Sequence, residues 1–184
     1  EAKQYGLSLA LGAAEVRLLD MVSSYTVFAH DGIKNPTTGI LKVVDSDGNV
    51  LEEFKEAPEQ VLEAGVAHDI SYMLSNNEAR FPEYPPNNPF FFEGYDVAAK
   101  TGTTNDYRDA WTIGYTPSIV VGVWAGNNDN SPMGKEIAGY IVAPMWHEFM
   151  EHALTVTPQE YFAERQAIPE GAPAVLYGDY SSSS

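Results

Sequence analysis

Three runs rich in β-branched and aromatic residues constrain the fold most, because they lie close together in the second half of the chain. They cover residues 95–101, 110–115 and 119–125, and their composition is typical of strands that face a core. Only Thr116-Pro117-Ser118 separates the second run from the third. A link this short is typical of a tight turn, so we predict an antiparallel hairpin within an antiparallel sheet.

Apolar residues recur at helical spacing in three other segments. They are residues 15–29, which Asp31-Gly32 is expected to terminate, residues 58–74, and a final helix from Ala143-Pro144 to Leu154. Proline suits the first turn of a helix, because its missing N–H would have no partner there. We therefore expect an α+β fold in which helices flank the antiparallel sheet.

Two short strand-like runs, residues 40–44 and 49–54, flank the sequence Asp45-Ser46-Asp47-Gly48. An Asp-Gly pair between such runs is typical of a β-hairpin turn, and we predict a hairpin here. Calcium binding is the alternative, because the two aspartates and Asn49 alternate as the ligands of a calcium loop do. The glycine of such a loop should follow the third ligand, and Val50 stands there. The sequence therefore favours the turn.

Prolines and aromatic residues are concentrated in residues 81–92, which hold four prolines and five aromatic side chains. So many prolines exclude a regular helix or strand. The aromatic content is too high for a flexible linker, so we predict a packed loop on a surface or beside a cleft.

Charge and residue usage exclude several functional classes. The chain has 184 residues, with 10 Lys+Arg against 26 Asp+Glu and a formal net charge of −16. A nucleic-acid-binding protein needs a basic face, and so does a protein that docks on anionic lipid. The chain has no cysteine, which excludes a disulfide scaffold, a zinc–thiolate site and thiol catalysis. It has no apolar run of about 18 residues, the length that a membrane-spanning helix needs. Its first residues are unlike a signal peptide.

The sequence Lys100-Thr101-Gly102-Thr103-Thr104 carries the most chemistry. Lys100 places a positive charge where the predicted sheet edge meets solvent, and Gly102 leaves room for a ligand against that edge. Thr101 and Thr103 alternate, so both can point to one face. An extended peptide could pair with this edge while Lys100 and the threonines meet its carboxylate, and the N–H of Thr103 could donate to an oxyanion.

The simpler interpretation of this motif is a strand that ends in a turn, with Lys100 as a solvated charge. A phosphate-binding loop is excluded, because that motif needs Gly-Lys-Thr after an earlier glycine, whereas the lysine here precedes Thr-Gly.

A longer set of motifs resembles the transpeptidase domain of bifunctional class A penicillin-binding proteins, in order over residues 5–154. The motifs are YGLSLALG at 5–12, AAKTGTTND at 98–106, RDAW at 108–111, GYTP at 114–117 and VGVW at 121–124. The resemblance implies the C-terminal half of a β-lactamase/transpeptidase-like fold. Residues 1–157 would be this half, and residues 158–184 would be a partly disordered C-terminal extension.

The resemblance implies a serine acyltransferase that cross-links peptidoglycan. A serine would attack the penultimate D-alanine carbonyl of a stem peptide, an amine of a neighbouring stem would resolve the acyl-enzyme, and β-lactam antibiotics would acylate the same serine. No cofactor or metal is implied. The implied location is the extracytoplasmic face of the bacterial membrane, with an anchoring helix outside this chain.

The resemblance also assigns roles to four residues. Lys100 would supply positive charge and assist proton transfer, and Gly102 would leave room for the peptide. Thr101 and Thr103 would hold the carboxylate of the stem peptide or antibiotic. The backbone N–H of Thr103 would be the second oxyanion donor.

The chain departs from the family in the other two motifs of this superfamily. It contains no S-x-x-K, and in the family the nucleophile precedes the segment that corresponds to residues 5–12. We therefore expect the nucleophile upstream of Glu1, in a missing N-terminal half of the domain, and an inactive isolated chain. Ser75-Asn76-Asn77 matches S-x-N but lies after that segment, so we interpret it as helix-end capping.

Two alternatives and several weaker candidates remain. The chain could be a non-catalytic module that captures peptide C-termini, or a D-Ala-D-Ala carboxypeptidase or β-lactamase relative.

His147 and His152 are five residues apart instead of the four that a zinc helix needs, so we predict no metal site. Residues 127–130 are expected to form an Asx-rich turn, and Arg108-Asp109 to brace the turn after the strand.

Overall fold

The computed structural model describes residues 14–165 together with Gly6, Gly12, Ala167 and Gly171. The helices of the described part are α1 (Leu18–Ala29), α2 (Ala64–Ser75), α3 (Ala138–Ile141) and α4 (Ala143–Val156). The strands are β1 (Ile33–Lys34), β2 (Lys42–Val44), β3 (Val50–Glu53), β4 (Glu59–Gln60), β5 (Ala98–Thr103), β6 (Asp109–Thr116) and β7 (Ile119–Gly126).

The three strands β5, β6 and β7 form an antiparallel sheet in that order, which confirms the predicted α+β fold. Thr116 pairs with Ile119 across the tight turn. β5 begins three residues later than predicted and ends two residues later, so Lys100 and Thr103 lie within the sheet, opposite Ile113 and Ala110. Among the described strands, β5 is at the edge and pairs only with β6.

Two apolar layers cover the two faces of this sheet. On one face Ala98 packs with Tyr115 and Ala29, where α1 and α2 contact the sheet. On the other face Ala99 packs in a cluster around Trp146 of α4. Successive strand residues point to opposite faces, so β5 contributes one buried alanine to each layer and is held from both sides.

The predicted start of the second helix, at Pro58, is wrong. Glu59 and Gln60 form β4, which pairs with β1, and the helix begins at Ala64. The side-chain amide of Gln60 donates a hydrogen bond of 2.9 Å to the carbonyl of Asp31. Gly32 has a φ of 87°, and its carbonyl accepts hydrogen bonds from two backbone N–H groups of residues 61 and 62. These tertiary contacts outweigh the local preference for a helix at the proline.

The hairpin predicted for residues 40–54 is confirmed by the antiparallel pair β2–β3. The carboxylate of Asp45 accepts hydrogen bonds from the backbone N–H groups of Asp47 at 2.9 Å and Asn49 at 2.8 Å. The side-chain amide of Asn49 donates a further bond of 2.8 Å to the same carboxylate, and this bond, followed by the backbone bonds, lowers the pKa of Asp45. Its carboxylate therefore organises the turn, which is the arrangement expected of an Asx turn rather than of a calcium loop.

The proline- and aromatic-rich segment is a packed loop, as predicted. Phe90 and Phe92 are buried and contact Trp146. Asn88 is buried too, and its amide donates to the side chain of Asn77 at 2.8 Å.

Within the described residues, no helix is both long and apolar enough to cross a membrane.

The first residues of the C-terminal extension pack on the fold. The ring of Phe162 lies 5.4 Å from that of Tyr115, and Arg165 forms a 2.7 Å ion pair with Asp69. Residues 166, 168–170 and 172–184 lie outside the described residues. The predicted partial disorder of residues 158–184 therefore stays a prediction.

A methyl group at Gly114 tests how tightly β6 is held between the two layers. An added Cβ would lie 2.7 Å from the carbonyl oxygen of Ala98 and would overlap the ring of Trp146. Gly114→Ala is therefore expected to lower the free energy of unfolding by about 2 kcal/mol, measured by urea denaturation. Gly134→Ala is the matched control, because a Cβ there meets nothing within 4 Å. Equal effects of the two variants would contradict the described packing.

Candidate active site

The backbone of β5 presents polar groups at the free edge of the sheet. The N–H of Thr104 donates a hydrogen bond of 3.1 Å to the carbonyl of Asp109, towards β6. Backbone groups of successive strand residues point to opposite sides, so the N–H and C=O of Thr103 point away from β6. The ammonium of Lys100 lies 2.5 Å from the carbonyl oxygen of Thr101. The free edge therefore offers the backbone donor that sequence analysis expects at Thr103.

The side chains of the motif divide between the two faces of the strand. Thr101 and Thr103 alternate on the face of Ala99, and Lys100 and Gly102 lie on the face of Ala98. Lys100 and Thr103 are exposed, and Thr101 and Gly102 are partly buried. Thr103 Oγ1 accepts a hydrogen bond of 2.9 Å from the N–H of Ala138, at the start of α3. One strand thus brings together the four residues that sequence analysis selects.

Gly102 is not required by packing among the described residues. A Cβ at this position would come no closer than 3.5 Å to Trp111, which is an ordinary van der Waals contact. Because glycine has no Cβ, the space beside the strand at this position is open. This agrees with the expectation that a ligand approaches here, which stays a prediction.

A polar clamp holds the end of β5. The hydroxyl of Thr104 donates to Asp109 Oδ2 at 2.8 Å and accepts from the Asp109 N–H at 2.8 Å. Trp124 Nε1 donates to Asp109 Oδ1 at 3.0 Å. The intervening turn includes Asp106 and Tyr107, both with positive φ, so these bonds hold a backbone conformation that non-glycine residues rarely adopt. The predicted bracing role is confirmed for Asp109.

Arg108 and the polar loop brace the same turn from outside. The guanidinium of Arg108 donates to the carbonyl of Asn130, and the N–H of Met133 donates to the carbonyl of Tyr107 at 2.9 Å. The amide of Asn127 donates to the carbonyl of Ser131 at 3.0 Å. Asp129 Oδ1 accepts a hydrogen bond of 3.0 Å from the N–H of Ser131, which is the bond that defines an Asx turn, so the predicted Asx-rich turn is confirmed.

A cleft of about 200 Å³ opens beside the first half of β5. It lies between that strand, the end of α2 and the packed loop. Its lining includes Lys100, Thr101, Asn76, Tyr84 and Arg80. Arg80 was not among the residues predicted from the sequence, and the only local signal was an arginine directly before an aromatic-rich segment.

The remaining sequence candidates have structural roles. Asn76 Oδ1 accepts a hydrogen bond from the N–H of Ala79 at 3.2 Å, so the S-x-N match caps the turn after α2, as interpreted. His147 Nδ1 lies 2.7 Å from the carbonyl oxygen of Pro89.

Comparison with known proteins gives a consistent result. The model of the family described as "Penicillin binding protein transpeptidase domain" matches residues 3–161. Penicillin-binding protein 1A of Aquifex aeolicus is 38% identical over 161 residues, which cover 84% of this chain and 21% of that protein. Penicillin-binding protein 1A of Neisseria lactamica is 32% identical over 177 residues, or 91% of this chain and 21% of that protein. The chain thus spans about a fifth of the length of these curated relatives.

A solved structure resembles both the fold and the sequence. The PonA1 protein of Mycobacterium tuberculosis, in complex with penicillin V, matches with a TM-score of 0.76 and 29% identity. The match covers 88% of this chain and 44% of that chain. The described fold therefore corresponds to somewhat less than half of the solved protein.

Removing one hydroxyl tests the clamp at the end of β5. Thr104→Val loses both hydrogen bonds to Asp109, so it is expected to lower the free energy of unfolding by about 1–2 kcal/mol and to speed hydrogen exchange at the residue-104 amide. Thr155→Val is the control, because the exposed Thr155 hydroxyl meets only a carbonyl of its own helix. The clamp is contradicted if urea denaturation shows the two variants to be equally stable.

Proposed function

The chain belongs to the penicillin-binding protein transpeptidase domain family, and from this premise we propose that it is the C-terminal part of a peptidoglycan D,D-transpeptidase. The chain spans about a fifth of its curated relatives. We therefore assign the reaction, its substrates and its location to a longer protein of which this chain is one part. That protein would act at the extracytoplasmic face of a bacterial membrane, and the missing N-terminal half of the domain would be the first partner of this chain.

The open edge of β5 carries the proposal. An extended stem peptide can pair with this edge while Lys100, Thr101 and Thr103 meet its carboxylate. The N–H of Thr103 points away from β6 and can donate to the carbonyl oxygen that becomes an oxyanion. Gly102 leaves the peptide backbone room beside the strand.

The reaction divides into two acyl transfers. A serine of the missing half attacks the penultimate D-alanine carbonyl, its proton passes to a neighbouring base, and D-alanine leaves with a proton on its nitrogen. The amine of a second stem then attacks the acyl-serine, forms the cross-link and returns the proton to the serine. In both steps the Thr103 N–H stabilises negative charge on the carbonyl oxygen. The positive charge of Lys100 helps the proton transfer and attracts the carboxylate.

Binding of β-lactam antibiotics is part of the same proposal. The solved relative from Mycobacterium tuberculosis is a complex with penicillin V. A penicillin carries a carboxylate and a reactive carbonyl, the two groups that the edge of β5 is arranged to meet. The serine that it would acylate is outside this chain.

A labelled penicillin tests how the chemistry is divided. The 184-residue chain is expected to form no covalent adduct, because it has the oxyanion donor and the carboxylate-binding groups without the nucleophile. The same chain, extended at its N-terminus to a complete transpeptidase domain, is expected to be labelled. Gel fluorescence after denaturation measures both. Labelling of the isolated chain would show that a serine within it is the nucleophile.

Failure of the extended protein to react would favour the non-catalytic peptide-binding alternative. Labelling followed by rapid release to water, without cross-linking, would favour a carboxypeptidase or β-lactamase.

Two substitutions at one position separate the backbone donor from the side chain. Thr103→Pro removes the N–H and the hydroxyl, whereas Thr103→Ala keeps the N–H and removes the hydroxyl, its bond to Ala138 and the side-chain methyl group. Proline is tolerated at an edge strand when the N–H points to solvent. In the extended protein, Thr103→Pro is expected to be acylated about 10²–10³-fold more slowly than Thr103→Ala, measured by stopped-flow. Equal rates would exclude this N–H as an oxyanion donor.

A further inference from the structure

Arg80 is a partly buried cation without an acidic partner in the described part of the chain. Its guanidinium donates to the carbonyl of Leu74 and lies 5.7 Å from the centre of the Phe90 ring. Burial lowers the pKa of Arg80. Within residues 14–165, no carboxylate is at ion-pair distance from it. Buried charges in proteins are normally paired, so this one requires an explanation.

A purely structural role leaves most of the guanidinium unexplained. The carbonyl of Leu74, in the last turn of α2, is a group that a helix end leaves without an intrahelical partner, so one N–H of Arg80 caps the helix. An arginine has five N–H donors in a fixed plane. Within residues 14–165 the bond to Leu74 is the one hydrogen bond that this guanidinium makes, and Arg80 lines the cleft.

Lys100 is the second cation of the same cleft. It lines the cleft together with Arg80, and within residues 14–165 it too has no carboxylate at ion-pair distance. The chain as a whole carries a net charge of −16. Two unpaired cations beside one cleft of about 200 Å³ are therefore a local exception to the overall charge, and they favour an anionic occupant.

The position of the cleft along β5 gives the direction of a bound peptide. The cleft contacts Ala99, Lys100 and Thr101, which precede the last two residues of the strand, whereas the free N–H of Thr103 lies at its end. A peptide with its carboxylate at the cleft and an upstream carbonyl at Thr103 runs antiparallel to β5. Antiparallel pairing is also the geometry of every strand pair in this sheet.

We propose that Arg80 is a specificity-determining residue of this site, and that together with Lys100 it binds the free C-terminal carboxylate of the donor peptide in the cleft beside β5. This inference deepens the proposed function and rests on it. Arg80 acts in binding and selection, because it lies at the carboxylate end and not at the oxyanion donor. A peptide whose C-terminus is an amide leaves the charge of Arg80 without a partner, and the site discriminates against it.

The test compares two ligands that differ only in this charge. The 184-residue chain, labelled with ¹⁵N, is titrated by NMR with N-acetyl-D-alanyl-D-alanine and with its C-terminal amide. The acid is expected to bind at least about tenfold more tightly than the amide, because its carboxylate accepts a charge-assisted hydrogen bond. Binding of the acid is also expected to shift the Nε–Hε signal of Arg80. In Arg80→Gln the preference for the acid is expected to fall to about threefold or less, because Lys100 and the threonines remain.

Arg17→Gln is the matched control. Arg17, directly before α1, is exposed and pairs with Asp20 in the first turn of that helix, so its loss should leave the preference unchanged. An unchanged preference in Arg80→Gln, equal losses for acid and amide, or no preference in the unmodified chain would each overturn the proposal. If the spectrum shows that Arg80→Gln does not fold, Arg80→Lys decides. It keeps the charge and loses the planar fork, so the preference should fall severalfold, and an unchanged preference would overturn the proposal.

Binding to the isolated chain needs no nucleophile, so this result is independent of acylation. A preference that depends on Arg80, in a protein that never reacts with penicillin, would support the carboxylate site and contradict the transpeptidase. If penicillin acylates the extended protein but Arg80→Gln keeps the preference for the acid, the transpeptidase is supported and the carboxylate-binding role of Arg80 is contradicted.

Discussion

The register between β5 and β6 is the constraint on which the other features of the site depend. A slip of one residue would exchange the faces of every side chain in β5, and would also turn the Thr103 N–H towards β6. Ala98 and Ala99 are buried in separate layers on opposite faces of the sheet, so a slip would bring either Val97 or Lys100 into a buried position that now holds an alanine. Thr104 and Asp109 fix the other end through reciprocal hydrogen bonds. The core and the clamp thus hold the free edge in one position.

No other strand among the described residues pairs with the outer edge of β5. Edge strands with unpaired N–H and C=O groups can recruit other strands, and natural proteins usually cover or charge them. Here a lysine stands at the edge, and its ammonium contacts the Thr101 carbonyl. The same lysine would discourage non-specific pairing and attract a peptide that ends in a carboxylate. The edge can therefore select its partner by charge as well as by backbone hydrogen bonds.

Sequence patterns predicted the elements whose stability is local. The β2–β3 hairpin follows from Asp45 and Asp47-Gly48, and the strands β6 and β7 from their β-branched runs. The predicted start of α2 was wrong because Gln60 contacts Asp31, some thirty positions earlier in the chain. No local sequence pattern contains such a contact. Lys100 and the threonines were found because they are consecutive. Arg80 was missed because it lies twenty residues earlier, and only the packed loop brings it to the same cleft.

The acidity of the chain does not oppose carboxylate binding at this cleft, because charge acts over short distances in salt solution. At physiological ionic strength the screening length is about 8 Å, so most of the 26 acidic side chains act weakly on a ligand at β5. The charges that matter are those lining the cleft. Partial burial of Arg80 also reduces screening by water, which strengthens its attraction for an anion. A carboxylate that enters the cleft would therefore meet a locally positive site on a protein whose overall charge would repel it from other surfaces.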